Sequence, residues 1–202
     1  MKCRIIREAE YITTQWAGGK TSQIMISPQD AAFAERMFEW RFSRATVEAQ
    51  ESIFTKMQGF HRILYLISGK PELHYGGGTK RLEQGMTISF DGNMSIHALG
   101  QGTDLNLIMN VNTEGYVEQK RAAAGEVLLI KNIYAADCCM IYILSGQINV
   151  SGHTAYKHES IVCSMDIAEG FSVNAEESSE FVCFYIGKKG VCDFPAAGDE
   201  LL

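Results

Sequence analysis

The sequence predicts an all-β protein built as two tandem barrels. Three observations carry that expectation. Apolar runs of strand length recur along most of the chain, nineteen glycines against three prolines supply tight turns rather than rigid linkers, and parts of the first half return in the second.

The first-half runs are Gln23–Ile26, Trp40–Val47, Arg62–Ile67, Met86–Phe90 and Leu105–Val111. The second half adds Val127–Ile130, Met140–Leu144, Ser160–Ser164 and Phe181–Ile186. All are broken by Gly, Asn, Asp or Ser, as in a sandwich or barrel. Long helical periodicity is scarce, and the two helix candidates, Gln29–Met37 and Gly115–Ala124, are short.

Internal repetition supports duplication. Leu64-Tyr65-Leu66-Ile67-Ser68-Gly69 matches Ile141-Tyr142-Ile143-Leu144-Ser145-Gly146 at an offset of 77. Gly85–Ile88 matches Ser160–Cys163, and Asp104–Val111 matches Ser179–Ile186, both at 75. Three strands in one order at nearly one spacing give an N-terminal half over 1–112, a polar, Ala-rich connector over 113–125 and a C-terminal half over 126–202.

A strand, a Gly-ended turn, a second strand and further hairpins is how a cupin barrel begins. The expected fold is therefore a cupin-type double barrel, a bicupin of the jelly-roll kind. Cupin metal ligands follow H-x-H, then Glu seven residues before the turn Gly, then a later His. Here Arg62 takes the Glu position, and Lys56, Met57 and Gln58 stand where histidines belong; the second half offers Cys139. The later position falls near Ser95 or His97, and at Val173. Transition-metal sites need three or four converging donors, so no metal and no other cofactor is expected.

Composition narrows the function classes. Of 202 residues, 46% are hydrophobic and 21% charged, an ordinary globular balance. The net charge of −6 and the absence of a basic stripe argue against nucleic acid as partner. Met1–Arg7 lacks the apolar core of a secretory signal, and no run approaches the length of a membrane span. Cys3, Cys138, Cys139, Cys163, Cys183 and Cys192 show no C-x-x-C and no framework spacing, so free thiols in a cytoplasmic protein are expected.

Strand alternation places Arg41, Ser43 and Ala45 on one face, Arg62, Leu64 and Leu66 on another, and Asp104, Asn106 and Ile108 on a third. If these faces line the first barrel, its mouth holds two guanidiniums, a carboxylate, an amide and a hydroxyl. A planar guanidinium binds carboxylate or phosphate bidentately, so a small anionic metabolite is the ligand this set suits. The competing reading is a solvated Arg41 with a structural Arg62–Asp104 ion pair. Trp16 is either an apolar wall or packed core; His61 and His97 are the two histidines near enough in sequence to reach a pocket. Trp16–Thr21 is no P-loop, because Thr14 stands where Gly is required, and Gly100-Gln101-Gly102 lacks the third Gly of a dinucleotide fingerprint. Neither Ser68-Gly69 nor Ser145-Gly146 forms a nucleophile elbow, and no catalytic residue is assigned.

Taken together, Trp16-x-Gly18-Gly19-x-Thr21, Trp40-Arg41-x-Ser43-x-Ala45, Gly59-x-x-Arg62, Phe90-x-Gly92 and Asp104-x-Asn106-x-x-Met109 resemble the HutD/Ves family in order and spacing. The resemblance covers about the first 110 residues; the second half matches in strand character alone. It implies a metal-free two-barrel cupin with the Arg, Ser, Asp and Asn positions near one pocket, and a regulatory or ligand-sensing role in amino-acid (histidine) catabolism. Glu39 before Trp40, Glu51-Ser52-Ile53-Phe54 and Asn93 after Gly92 depart from the family pattern.

The leading expectation is a non-catalytic binder of a small carboxylate-bearing metabolite in the N-terminal barrel, monomeric or homodimeric. Behind it stand a metal-independent cupin isomerase or epimerase, which needs a positioned base, and a protein-interaction scaffold.

Overall fold

In the computed structural model, residues 1–165, 170–190 and 199–201 are described. The strands, in chain order, are β1 (Cys3–Ile6), β2 (Ile12–Trp16), β3 (Gly19–Ser27), β4 (Trp40–Val47), β5 (Glu51–Ile53), β6 (Phe60–Gly69), β7 (Glu72–Tyr75), β8 (Gly78–Arg81), β9 (Thr87–Asp91) and β10 (His97–Leu99). They continue as β11 (Gly102–Asn110), β12 (Thr113–Ala122), β13 (Val127–Ile130), β14 (Cys138–Ser145), β15 (Gln147–Val150), β16 (His153–Tyr156), β17 (Ser160–Ser164), β18 (Phe171–Ala175), β19 (Ser179–Lys188) and β20 (Asp199–Glu200). Every run expected to be a strand falls on one of these, with Met86 and Val111 just outside β9 and β11. The chain is all-β, a cupin-type double barrel.

Two compact units emerge. The N-terminal barrel comprises Tyr11–Thr113 and the described residues 199–201; the C-terminal barrel comprises Met1–Glu10 and the described part of Glu114–Pro195. The chain ends thus exchange, which a split at residue 112 does not anticipate. β1 pairs antiparallel with β17, and β20 pairs parallel with β9.

The N-terminal barrel has a large sheet ordered β2-β3-β4-β11-β6-β9-β20 and a small one ordered β5-β10-β7-β8. The C-terminal barrel has β1-β17-β14-β19-β12 and β13-β18-β15-β16. Read from the opposite end, five strands of the first large sheet match the five of the second in order, β20-β9-β6-β11-β4 against β1-β17-β14-β19-β12, and β3 and β2 extend the first beyond them. The repeated hexapeptides are the central strands β6 and β14. Each ends at a turn Gly in the left-handed region, Gly69 at φ 95° and Gly146 at φ 74°, where a side chain would be strained.

This correspondence corrects the connector. Residues 113–122 form β12, the counterpart of β4. Its polarity is that of an edge strand, which carries Glu114, Glu118, Lys120 and Arg121 because charges blunt further pairing. The helix expected over Gly115–Ala124 is that same strand. Over Gln29–Met37 there is one 3-10 turn, Phe33–Glu35, ended by Arg36 at φ 58°. A nine-residue helix is marginal by itself, and Phe33 instead packs on Phe38 at 5.8 Å, with Phe38 on Phe60 at 4.7 Å.

Cysteine chemistry also differs from expectation. Cys3 and Cys163, cross-strand partners in β1 and β17, form a disulfide, because the register stacks their side chains on one face. Cys138, Cys139 and Cys183 are free thiols, and Cys192 lies outside the described residues. Among the described residues no helix is long and apolar enough to cross a membrane.

Candidate functional site

Register builds the site. On β11, Asp104, Asn106 and Ile108 face the barrel interior, while Leu105, Leu107 and Met109 fill the opposite face, equally buried. A strand buried on both faces is normally a continuous apolar run. Asp104 and Asn106 interrupt it. Their cross-strand neighbours complete three rows. Ile108 lies between Arg41 of β4 and Arg62 of β6, Asn106 between Ser43 and Leu64, and Asp104 between Ala45 and Leu66.

These rows line a cavity of about 260 Å³ in the N-terminal barrel. Arg41, Ser43, Arg62, Asp104, Asn106 and Trp16 all contribute to its wall. Arg41 donates from Nε to Gln23 Oε1 at 2.8 Å and from a terminal nitrogen to Ser43 Oγ at 3.5 Å. Its guanidinium also lies 4.2 Å above the Phe33 ring. Arg62 donates from Nε to Asn106 Oδ1 at 3.4 Å, and sits 5.1 Å from the ring centres of both Phe54 and Phe90. Among the described residues neither guanidinium is in an ion pair, so the structural Arg62–Asp104 bridge is not formed.

The electrostatics follow from burial. Loss of water lowers the Arg41 pKa to about 10, and the Arg62 and Arg36 charges add to the effect. Burial likewise lowers Arg62 to about 10, with Asp104 opposing and Arg36 assisting. Asp104 is pushed up to about 7 by burial, against the pull of Arg62. Its Oδ1 is buried without a hydrogen-bond partner.

His61 and His97 are not part of this wall. His61 alternates with Arg62 on β6 and is exposed on the other face. His97 lies on β10 in the small sheet, within 3.4 Å of Glu51 and opposite His74. Period-two alternation excludes His61 on sequence grounds; sheet membership, which displaces His97, does not show in the sequence. Trp16 is 39% exposed, a rim residue rather than core. Its ring folds back over Gly18, where a Cβ would come within 2.0 Å of the indole. That close approach accounts for the glycine next to Trp16. Gln23, which holds Arg41, and Phe33, Phe54 and Met57, which line the cavity, carry no signature in the sequence, because amide and apolar side chains within runs do not show what they face.

A cupin metal ion does not fit this donor set. Two guanidiniums, one carboxyl, an amide and a hydroxyl leave one anionic ligand against two cations, where a divalent ion needs several converging N, O or S donors.

The HutD family model matches residues 8–183. The chain belongs to the HutD family. No curated protein matches it significantly. A conserved protein of unknown function from Pseudomonas aeruginosa PAO1 is similar in structure, with 19% identity, a TM-score of 0.75, and coverage of 93% of this chain and 100% of that one. HutD from Pseudomonas fluorescens SBW25, in a formate condition, gives 18% identity and a TM-score of 0.72, covering 94% and 100%. A bacterial pirin from Escherichia coli, in complex with nickel(II), gives 12% identity and 0.66, covering 91% and 98%. At these identities the likeness speaks for the fold, and the site of this HutD-family chain rests on its own residues.

Proposed function

We propose that this HutD-family protein binds a small carboxylate-bearing metabolite in the N-terminal barrel without transforming it, and that binding serves a regulatory role in amino-acid catabolism such as that of histidine. The observation that carries this reading is the pair of buried guanidiniums, Arg41 and Arg62, facing one cavity without an ion-pair partner among the described residues. Burying an unpaired cation is costly, and a ligand carboxylate offsets that cost through bidentate, charge-assisted hydrogen bonds. Ser43 and Asn106 add neutral hydrogen bonds, and Phe33, Phe54 and Trp16 supply the apolar walls usual in small-molecule sites. The test is thermal unfolding with a panel of carboxylates, phosphates and neutral analogues. A ligand at 100 times its Kd stabilises by about 2.7 kcal/mol. Shifts confined to carboxylates, and absent in Arg41→Ala and Arg62→Ala, are expected; identical responses in parent and variants would sink the reading.

One observation favours a second reading, a metal-independent isomerase or epimerase. A carboxyl that titrates at about 7 beside two guanidiniums is placed to take a proton next to a substrate carboxylate. In that case the base is Asp104 and not a histidine. Exchange of the ligand's α-hydrogen in deuterated water, lost in Asp104→Asn, would establish it; no exchange over days would remove it.

A further inference from the structure

The N-terminal cavity carries more information than its charge. Arg41 and Arg62 start from the row of Ile108, but their hydrogen bonds to Gln23, Ser43 and Asn106 bend both guanidiniums one row toward Asp104. Successive rows on one face are two residues apart, about 7 Å. Asp104 therefore stands one row beyond the guanidiniums, where a ligand gripped by its carboxylate brings the substituent of its adjoining carbon.

Asp104 and Asn106 are neighbours on the same face of one strand and present opposite hydrogen-bonding needs. Asp104 Oδ1 is buried and lacks a donor. Asn106 Oδ1 already accepts from Arg62, which leaves its amide nitrogen as a donor lacking an acceptor among the described residues. A hydroxyl both donates and accepts at one atom, so one hydroxyl between them satisfies both. An ammonium has no lone pair for Asn106 and adds a cation beside two guanidiniums. A trans amide points its N–H and C=O in opposite directions and cannot offer both to one strand.

Beyond Asp104 a recess of about 20 Å³ opens, lined by Leu64, Leu66, Leu73, Leu82 and Ala98, with Asp104 as its one polar side chain. It has the size of a water molecule, but a buried water needs two to four polar partners. A methyl group suits it better.

We infer that the ligand is a 2-hydroxy acid with a short branched or unbranched aliphatic arm. Its carboxylate sits between Arg41 and Arg62, its hydroxyl bridges Asp104 and Asn106, and a methyl end enters the recess. This rests on the carboxylate reading of the cavity and narrows it.

The test is isothermal titration at pH 8 with four probes: 3-methylbutanoate, 2-hydroxy-3-methylbutanoate, valine and N-acetylglycine. The hydroxy acid is expected to bind about 10-fold or more tighter than 3-methylbutanoate, the worth of a hydrogen bond to a charged group. In Asp104→Ala and in Asp104→Asn that ratio falls toward one, with thermal midpoints confirming that both variants fold. Ala98→Val, which fills the recess, weakens the hydroxy acid. Equal binding of the two branched acids, both lost in Arg62→Ala, overturns the hydroxyl assignment and leaves the carboxylate reading standing. Tighter binding of valine or N-acetylglycine overturns it too, in favour of those classes. If no acid binds, both readings fall together.

Discussion

The two barrels share one topology and fill it in opposite ways. In the C-terminal barrel one large apolar cluster of described residues runs through the interior, from Ile130 and Cys139 to Phe171, Phe181, Cys183 and Tyr185. In the N-terminal barrel the described apolar residues divide between a cluster around Leu64, Leu73, Ile88 and Phe90 and another around Ile26, Phe38, Phe60 and Ile108. Members of both line the cavity and its recess. The strand registers locate the difference, since β6 pairs with β11 as β14 pairs with β19. Arg62 corresponds to Cys139, Asp104 to Phe181, Asn106 to Cys183 and Ile108 to Tyr185. Three polar positions of one barrel are thus a thiol, an aromatic ring and a second thiol in the other. Duplicated frames therefore divided the work: one barrel is packed for stability, the other kept hollow and polar at a cost.

Substitution of an inward-facing residue on the corresponding strand of each barrel should expose this division most strongly. Phe181→Ala removes a fully buried ring from the packed barrel and is expected to cost about 3–5 kcal/mol in chemical denaturation. Asn106→Ala, on the same face of the corresponding strand β11, loses one long hydrogen bond beside an existing cavity, and should cost on the order of 1 kcal/mol. Equal losses would erase the distinction between the barrels.

The hollow barrel should also dominate the pH dependence. Asp104 holds its proton more tightly when folded, at about 7, than the ordinary value of 3.8. Between those values the native state binds the extra proton, so stability is greatest at the acid end and falls as pH rises through about 7. Integrated over that interval the change is at most roughly 4 kcal/mol. Asp104→Asn should flatten the profile and be the more stable protein at pH 8. A parent profile already flat between pH 4 and 8 would show Asp104 ionised at ordinary cost.

Most of this architecture was legible in the sequence because strands buried on one or both faces betray themselves by period and length. The runs at Trp40–Val47, Val127–Ile130 and Ser160–Ser164 coincide with β4, β13 and β17. The repeat at Gly69 and Gly146 located the two central strands. What misled was polarity. β12 is charged because it is an edge, and a charged, Ala-rich stretch is indistinguishable by composition from a linker or a short helix. Of the eight site candidates, the six fixed by alternation or by the turn before β3 line the cavity, and His61 and His97 do not. Side-chain direction within a strand is local information; which of two sheets holds a strand is not. The Cys3–Cys163 bridge was hidden for the same reason, since its pairing joins residues 160 positions apart.

The smallest effect has the most telling sign. Arg62 is buried, is in no ion pair among the described residues, and is depressed to about 10 by that burial. Its packing against the Phe54 and Phe90 rings offsets part of the cost, at about 0.5–2 kcal/mol for cation–π pairs. Arg62→Met keeps a long side chain in the same space and removes the cost of holding an unpaired cation out of water. Since methionine forgoes the cation–π attraction to both rings, a net gain of about 1 kcal/mol is expected in ligand-free protein, read from the denaturation midpoint. The corresponding Cys139→Met in the packed barrel should destabilise instead, because a fully buried site inside an apolar cluster must strain to take a larger side chain. A gain at Arg62 beside a loss at Cys139 means that the hollow barrel holds its cation for a ligand; losses at both would make Arg62 a structural residue, balanced by the protein alone.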